Sequence, residues 1–301
     1  MFYELKKNLR KTFFDINVSD IFNTPPIICS DIASFSILSQ IRPSDIKSYL
    51  LAIKSFSYYL KPSSIYVVGD RFTESDWKTL DQHIDNLIRI PIETVNTMAC
   101  PHGGTWERIF SILELTHKHY IIQIDSDTLT MLYPTEIAEC INLNVNFTLG
   151  TSLGQNFSTC VEASNFASQF NEDTHVQTVS EKALASLDNS DNLLYVRGCS
   201  GLSGFAHNDV TTNDAEYFST SMEKIIGSSK WKEWGSEQIT SNFLISNSKN
   251  KMVLPWPKYC NFNPDNISKN STFIHFIGNT RYALGTYRKY SKKIIKILLT
   301  S

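Results

Sequence analysis

The chain contains no Cys-x-x-Cys pair, no Gly-Lys-Ser/Thr, no Gly-x-Gly-x-x-Gly and no apolar run approaching the ~18 residues of a membrane span. These absences argue against a zinc ribbon or dithiol redox centre, a P-loop NTPase, a dinucleotide dehydrogenase and an integral membrane protein. Charge of one sign is missing too. Lysine and arginine number 28 against 30 acids, a net charge of −2, so no basic field is present to hold nucleic acid. The first residues, Met1 to Asp15, carry basic side chains but no uninterrupted apolar core of a signal peptide, and a cytoplasmic location is expected. The six cysteines are scattered and read as small buried residues in a reducing compartment.

What is present is a full supply of core residues, 42% hydrophobic over 301 positions, enough for one large α/β domain without staples. Pro26 to Cys29 reads as a short apolar strand ending at Ser30-Asp31. Ser44 then caps a helix with Ile46, Tyr49, Leu50, Ile53 and Leu60 on its apolar positions. Ser64 to Val68 is a second strand, closed by Gly69-Asp70, and Thr73 with Asp76 opens a second helix bearing Trp77, Leu80 and Ile84. A weaker strand, Leu87 to Ile92, precedes the Pro101-His-Gly-Gly-Thr105 loop and a helix with Trp106, Ile109, Phe110 and Leu113 inward. This βαβα order predicts a mostly parallel sheet. From Asn144 the alternation becomes irregular, with strands expected at Phe147 to Leu149 and Leu193 to Val196 around a helix-prone stretch, so the second half reads as α+β laid on the first sheet.

The chemistry concentrates at Tyr120-Ile-Ile-Gln-Ile-Asp125-Ser126-Asp127, an apolar strand running into two carboxylates. Hard oxygen donors at the carboxyl end of such a strand suit Mn²⁺ or Mg²⁺, which take one or two protein carboxylates and complete their shell with water and phosphate oxygens. The plainer alternative is that acids end strands because they favour turns. Three more elements accompany the acids. Arg108 lies on the helix that feeds the acidic strand; Glu237-Gln238-Ile-Thr-Ser-Asn242 opens a helix; and His275-Phe-Ile-Gly278-Asn-Thr-Arg281 follows a strand-like Thr272-Phe-Ile274. Taken singly, Arg108 could be a solvated charge, His275 a structural histidine and Gln238 a packing residue.

In this order, from about Pro26 to Arg281, these short motifs resemble the GT-A-type glycosyltransferases, closest to the retaining enzymes of glycosyltransferase family 8. The resemblance implies a Rossmann-type nucleotide-binding sheet over about residues 23–150, continuous with an acceptor-binding α+β half over about 151–281. A 1–22 extension and a 282–301 tail would flank them. It implies that Asp125, Asp127 and His275 hold Mn²⁺ or Mg²⁺, and that Arg108, Gly278 and Arg281 meet the diphosphate of a nucleotide sugar, a UDP-hexose. Ser30 and Asp31 would meet the nucleoside, and Gln238 and Glu237 would face the anomeric carbon. Arginine at 281 replaces the family's lysine, keeping the charge and adding a fork. Cys199-Ser-Gly-Leu202 stands for Asn-Ser-Gly-Val, and Ile239 replaces an acid, so the donor sugar is left open. The outcome is retention if Gln238 faces the anomeric carbon, inversion if Glu237 acts as base across the ring.

The tail adds a possible partner. Tyr287, Tyr290, Ile294, Ile297 and Leu298 fall on one helical face and Arg288, Lys289, Lys292, Lys293 and Lys296 on the other, a basic amphipathic pattern suited either to an anionic membrane and a glycolipid acceptor or to packing on the domain itself. Two other classes compete with transfer: a sugar nucleotidyltransferase, although Cys29-Ser-Asp-Ile-Ala-Ser-Phe lacks that class's glycine-rich basic loop, and a nucleotide-binding protein of this fold without activity.

Overall fold

The acidic strand and its neighbours are buried on both faces, the mark of a sheet covered on each side. The computed structural model describes residues 2–172, 174–263, 271–278, 281–282 and 284–300, with residues 2–7 through their backbone. In chain order its elements are α1 (Phe2–Asn17), β1 (Phe35–Ile41), α2 (Ile46–Ser57), β2 (Ile65–Gly69), α3 (Glu74–Asp81), β3 (Leu87–Pro91), α4 (Trp106–Leu115) and β4 (Tyr120–Ile124). The second half begins with β5 (Thr128–Thr130), α5 (Thr135–Leu143), β6 (Asn146–Leu149), β7 (Ser158–Thr159), α6 (Cys160–Ala167) and α7 (Val176–Ala183). It continues with β8 (Leu194–Tyr195), β9 (Cys199–Phe205), α8 (Thr212–Ile226), α9 (Ser228–Trp231), α10 (Ser236–Asn247), β10 (Lys251–Leu254), β11 (Tyr259–Asn261), β12 (Phe273–His275) and α11 (Thr286–Thr300).

The central sheet runs β10-β6-β9-β4-β1-β2-β3, parallel throughout except for β9, which lies antiparallel between β6 and β4. Alternate residues of one strand therefore serve two cores. Ile37 and Ile122 pack on the side of α2 and α11, whereas Leu38 and Ile121 pack on the side of α4, α8 and α10. A small second sheet, β11-β12-β5, continues from the acids, with β12 antiparallel to β5 and parallel to β11. No helix among the described residues is long and apolar enough to cross a membrane.

Several expected elements are displaced. Pro26 to Cys29 makes only an isolated bridge, Ile27 to Ile84, and the first strand is Phe35–Ile41. That strand is disguised by polar residues whose needs are met internally: Ser36 bonds the Ser64 hydroxyl at 2.9 Å, and Ser39 donates to the Ile124 carbonyl at 2.6 Å. Ser44 lies inside a short 3-10 turn rather than capping α2, and α2 ends before Leu60. Leu193 to Val196 contributes only the two-residue β8, paired with β7 outside the main sheet, and the strand that enters that sheet is β9. The Thr73–Asp76 capping box opens α3 as expected.

Both ends of the described chain pack into the domain. Phe14, Val18 and Ile21 are buried in the same core as α2. On α11, Tyr287, Ile294, Ile295 and Leu298 are buried there as well, while Tyr290 and Ile297 are half-buried, so most of the apolar face read from the sequence packs on the protein itself.

Candidate active site

In a parallel sheet every β→α connection leaves from the same edge, and side chains placed there face one cleft. Asp125 and Asp127 follow β4 at this edge. α4 runs back antiparallel to the strands, which brings Arg108, in its first turn, over the acids. Three successive residues of positive φ, Gly103 (79°), Gly104 (56°) and Thr105 (75°), turn the chain into that helix. Two glycines make the turn accessible, and the β-branched Thr105 adopts it with its hydroxyl bonded to Glu237 at 3.0 Å.

Arg108 is the hub. It is buried, donates from Nη1 to Asp125 Oδ1 at 2.5 Å and from Nη2 to Glu237 Oε2 at 2.9 Å, and its Nη2 also lies 3.3 Å from the Ser200 hydroxyl. Burial opposes its charge, but Glu237 and Asp125 outweigh that and raise its pKa. Glu237 has the reverse balance: burial raises its pKa despite Arg108. Gln238 is half-buried, and its Oε1 accepts from the Ser200 amide at 3.1 Å. Ile239, the position where sequence placed a lost acid, is fully buried in the apolar core beside α4.

The small sheet delivers the third donor. The β12–β5 register sets His275 opposite Thr128, and the Phe276 amide bonds the Asp127 carbonyl at 2.8 Å, so His275 and Asp127 are forced together. His275 Nε2 lies 3.1 Å from Asp127 Oδ1 and 3.8 Å from Asp125 Oδ2. Its Nδ1 is 3.0 Å from Asn261 Oδ1, across the β11–β12 pair, and 3.4 Å from the Cys199 sulfur. Burial disfavours the imidazolium, yet Asp127 raises the His275 pKa well above its ordinary value; Asp127, also penalised by burial, is held low by His275 and Arg281. Arg281 pairs directly with Asp127 Oδ2, and its Nε donates to the Phe276 carbonyl at 2.8 Å. Gly278 is exposed at φ 66°, and its carbonyl accepts from the Arg281 amide at 3.3 Å.

Asp125, Asp127 and His275 thus present ligating atoms all within 4.8 Å of one another, and among the described residues no other trio of acids, cysteines or histidines comes as close. Two carboxylates and one imidazole fit a divalent cation, the nitrogen donor favouring Mn²⁺ over Mg²⁺.

Ser30 and Asp31 are not brought to this cleft. They precede β1 at the opposite edge, where the Ser30 amide bonds the Pro62 carbonyl before β2. The residues that follow β1 and β2 at the acidic edge are Arg42 and Asp70, joined at 2.6 Å. Sequence reading passed over both because the first strand was set too early; Gly69-Asp70 closing a strand was the available signal.

Comparison with solved structures bears on the architecture. The galactosyltransferase LgtC, solved with donor and acceptor sugar analogues, matches over 88% of this chain and 96% of its own at 10% identity and a TM-score of 0.53. The fold is the GT-A type. The glycosyltransferase GlyE of Streptococcus pneumoniae matches over 89% of this chain and 62% of its own (10% identity, TM-score 0.51), and the bifunctional glycosyltransferase WbbM over 89% and 53% (13% identity, TM-score 0.50). No family model and no curated protein sequence matches the chain.

Proposed function

We propose that the protein is a divalent-cation-dependent glycosyltransferase that moves a hexose from a nucleotide sugar, UDP-linked, to a saccharide or glycolipid acceptor with retention. The observation that carries this reading is the convergence of Asp125, Asp127 and His275 between two arginines at the carboxyl edge of a GT-A sheet. A cation bound there would neutralise charge on the departing nucleoside diphosphate.

The remaining roles belong to the side chains. Arg281 would offer its guanidinium fork to diphosphate oxygens, and Arg108, held between Asp125 and Glu237, would add its charge beside them. Arg42 and Asp70, which follow β1 and β2 at the same edge, would meet the nucleoside. Gln238, oriented by the Ser200 amide, would stabilise the oxocarbenium-like centre while the acceptor attacks from the leaving-group side. Glu237 is held by Arg108 and Thr105 deep in the wall, which favours sugar positioning over a base working across the ring. UDP rests on the family resemblance, and a hexose is supported by that resemblance and by the galactosyltransferase among the structural matches. An anionic membrane remains a partner only through charge, since Lys289, Lys292, Lys293 and Lys296 stay exposed.

Calorimetric titration of UDP, GDP and CMP, each with and without Mn²⁺, tests this on wild type and on Asp125→Asn/Asp127→Asn. Manganese-dependent binding of one nucleotide, lost in the double variant, is expected, together with transfer from that nucleotide's sugars. Equal binding by both proteins, or none by either, would overturn the assignment.

A further inference from the structure

The carboxylate that would bind the cation already has a cation of its own. Asp127 Oδ2 is taken by Arg281, and its Oδ1 faces His275 Nε2 at 3.1 Å, so both oxygens are engaged. Asp125 differs: Arg108 and Gln123 converge on Oδ1, while among the described residues Oδ2 meets His275 at 3.8 Å and no nearer cation. Three carboxylates, Asp125, Asp127 and Glu237, meet two guanidinium groups, which leaves a divalent ion little net negative charge to neutralise.

The two arginines are not equally free to move. Arg108 has 4% of its side chain exposed and is the ion partner of Glu237, itself 2% exposed, so withdrawing Arg108 would strand a buried carboxylate. Arg281 is 29% exposed and sits on a turn, and among the described residues its backbone bond is made from Nε, so the Nη groups that meet Asp127 are not tied to the main chain there. The Tyr282 ring lies 5.8 Å from the Arg281 Cζ, a second favourable neighbour for the guanidinium besides Asp127.

Resting on the cation-site reading above, we propose that Arg281 is an exchange residue: it neutralises Asp127, competes with the divalent cation for that carboxylate, and releases it when a diphosphate offers its oxygens instead. Cation and nucleoside diphosphate therefore bind as a coupled pair, each raising the affinity of the other by the same factor. Neither free metal nor free nucleotide would accumulate on the protein alone. Discrimination follows as well, because a monophosphate, with fewer oxygens for the fork, draws Arg281 away less effectively.

The test is Mn²⁺ binding, followed by the electron paramagnetic resonance of the free ion, to wild type, Arg281→Gln and Arg281→Lys, each with and without UDP. Wild type should bind Mn²⁺ weakly alone and about tenfold or more tightly with UDP, within the usual range of such couplings. Arg281→Gln should bind Mn²⁺ alone more tightly than wild type, bind UDP less tightly, and lose most of the coupling. Arg281→Lys, which keeps the charge without the fork, should still suppress Mn²⁺ alone and so separates competition from loss of structure. If wild type shows Mn²⁺-dependent UDP binding but Arg281→Gln leaves Mn²⁺ affinity unchanged or lower, the exchange is wrong while the site stands. If wild type binds neither ligand, the site assignment fails and the exchange with it.

Discussion

The ring of His275 lies against the backbone of Gly201 so closely that a Cβ on that glycine would come within 2.2 Å of Nδ1. Gly201 is a mid-strand residue on β9, so space rather than backbone freedom demands glycine there. Gly201→Ala should push the imidazole away from Asp127 and lower Mn²⁺ affinity about 10–100-fold, the usual scale for disturbing a ligand's support, with far-ultraviolet circular dichroism unchanged. Unaltered Mn²⁺ binding would show that His275 is not held by this contact.

Arg108 carries structural as well as chemical weight. Arg108→Ala leaves Glu237 buried without a counter-charge and should cost about 3–5 kcal/mol in urea unfolding, the range for breaking one side of a buried pair. Adding Glu237→Gln should recover part of that loss, and additive losses in the double variant would contradict the pairing.

Asn261 accepts the Nδ1 proton of His275, which reserves Nε2 for the acids and for a cation. Asn261→Leu removes the acceptor without removing bulk. A fall in Mn²⁺ affinity of about 10–100-fold, measured by titration calorimetry, is expected; an unchanged affinity would mean that β11 only packs behind the histidine.

A different part of the molecule should report on pH. Lys54 is buried against the Thr24 and Pro25 carbonyls and 3.1 Å from His83 Nδ1, and burial lowers its pKa to about 8. Its folded pKa lies below its unfolded value, so it destabilises the fold fully below pH 8, and that penalty lifts as pH rises from about 8 towards 10.5. The unfolding free energy of wild type relative to Lys54→Met should therefore rise across this interval. A flat difference would refute the burial effect.

The sequence carried the cluster of charged residues further than the strand boundaries. Asp125, Asp127, Arg108, His275 and Arg281 are short-range motifs whose residue types announce their chemistry, and the structure brings all five into one cluster. β1 and β9 were hidden for a common reason. Ser36 and Ser39 in one strand, and Ser200, Gly201, Ser203 and Gly204 in the other, erase the apolar pattern that marks a buried strand. Gly201 and Gly204 are small because His275, and Phe147 with Tyr120, occupy the space a side chain would need, and such neighbours come from distant sequence. Ser30 and Asp31 failed as site residues through the same slip, since placing the first strand early moved its carboxyl end to the wrong edge.

Tyr287, the first buried aromatic of α11, is sandwiched between Phe14 of α1 at 4.4 Å and Phe276, the residue after His275, at 4.3 Å. A deletion made to ask whether the lysine-rich helix binds lipid would pull this rivet and loosen the metal ligand's neighbour in the same stroke. Its lost activity would then be mistaken for lost anchoring. Reversing charge at Lys292, Lys293 and Lys296, which face solvent, leaves the aromatic column standing and asks the lipid question alone.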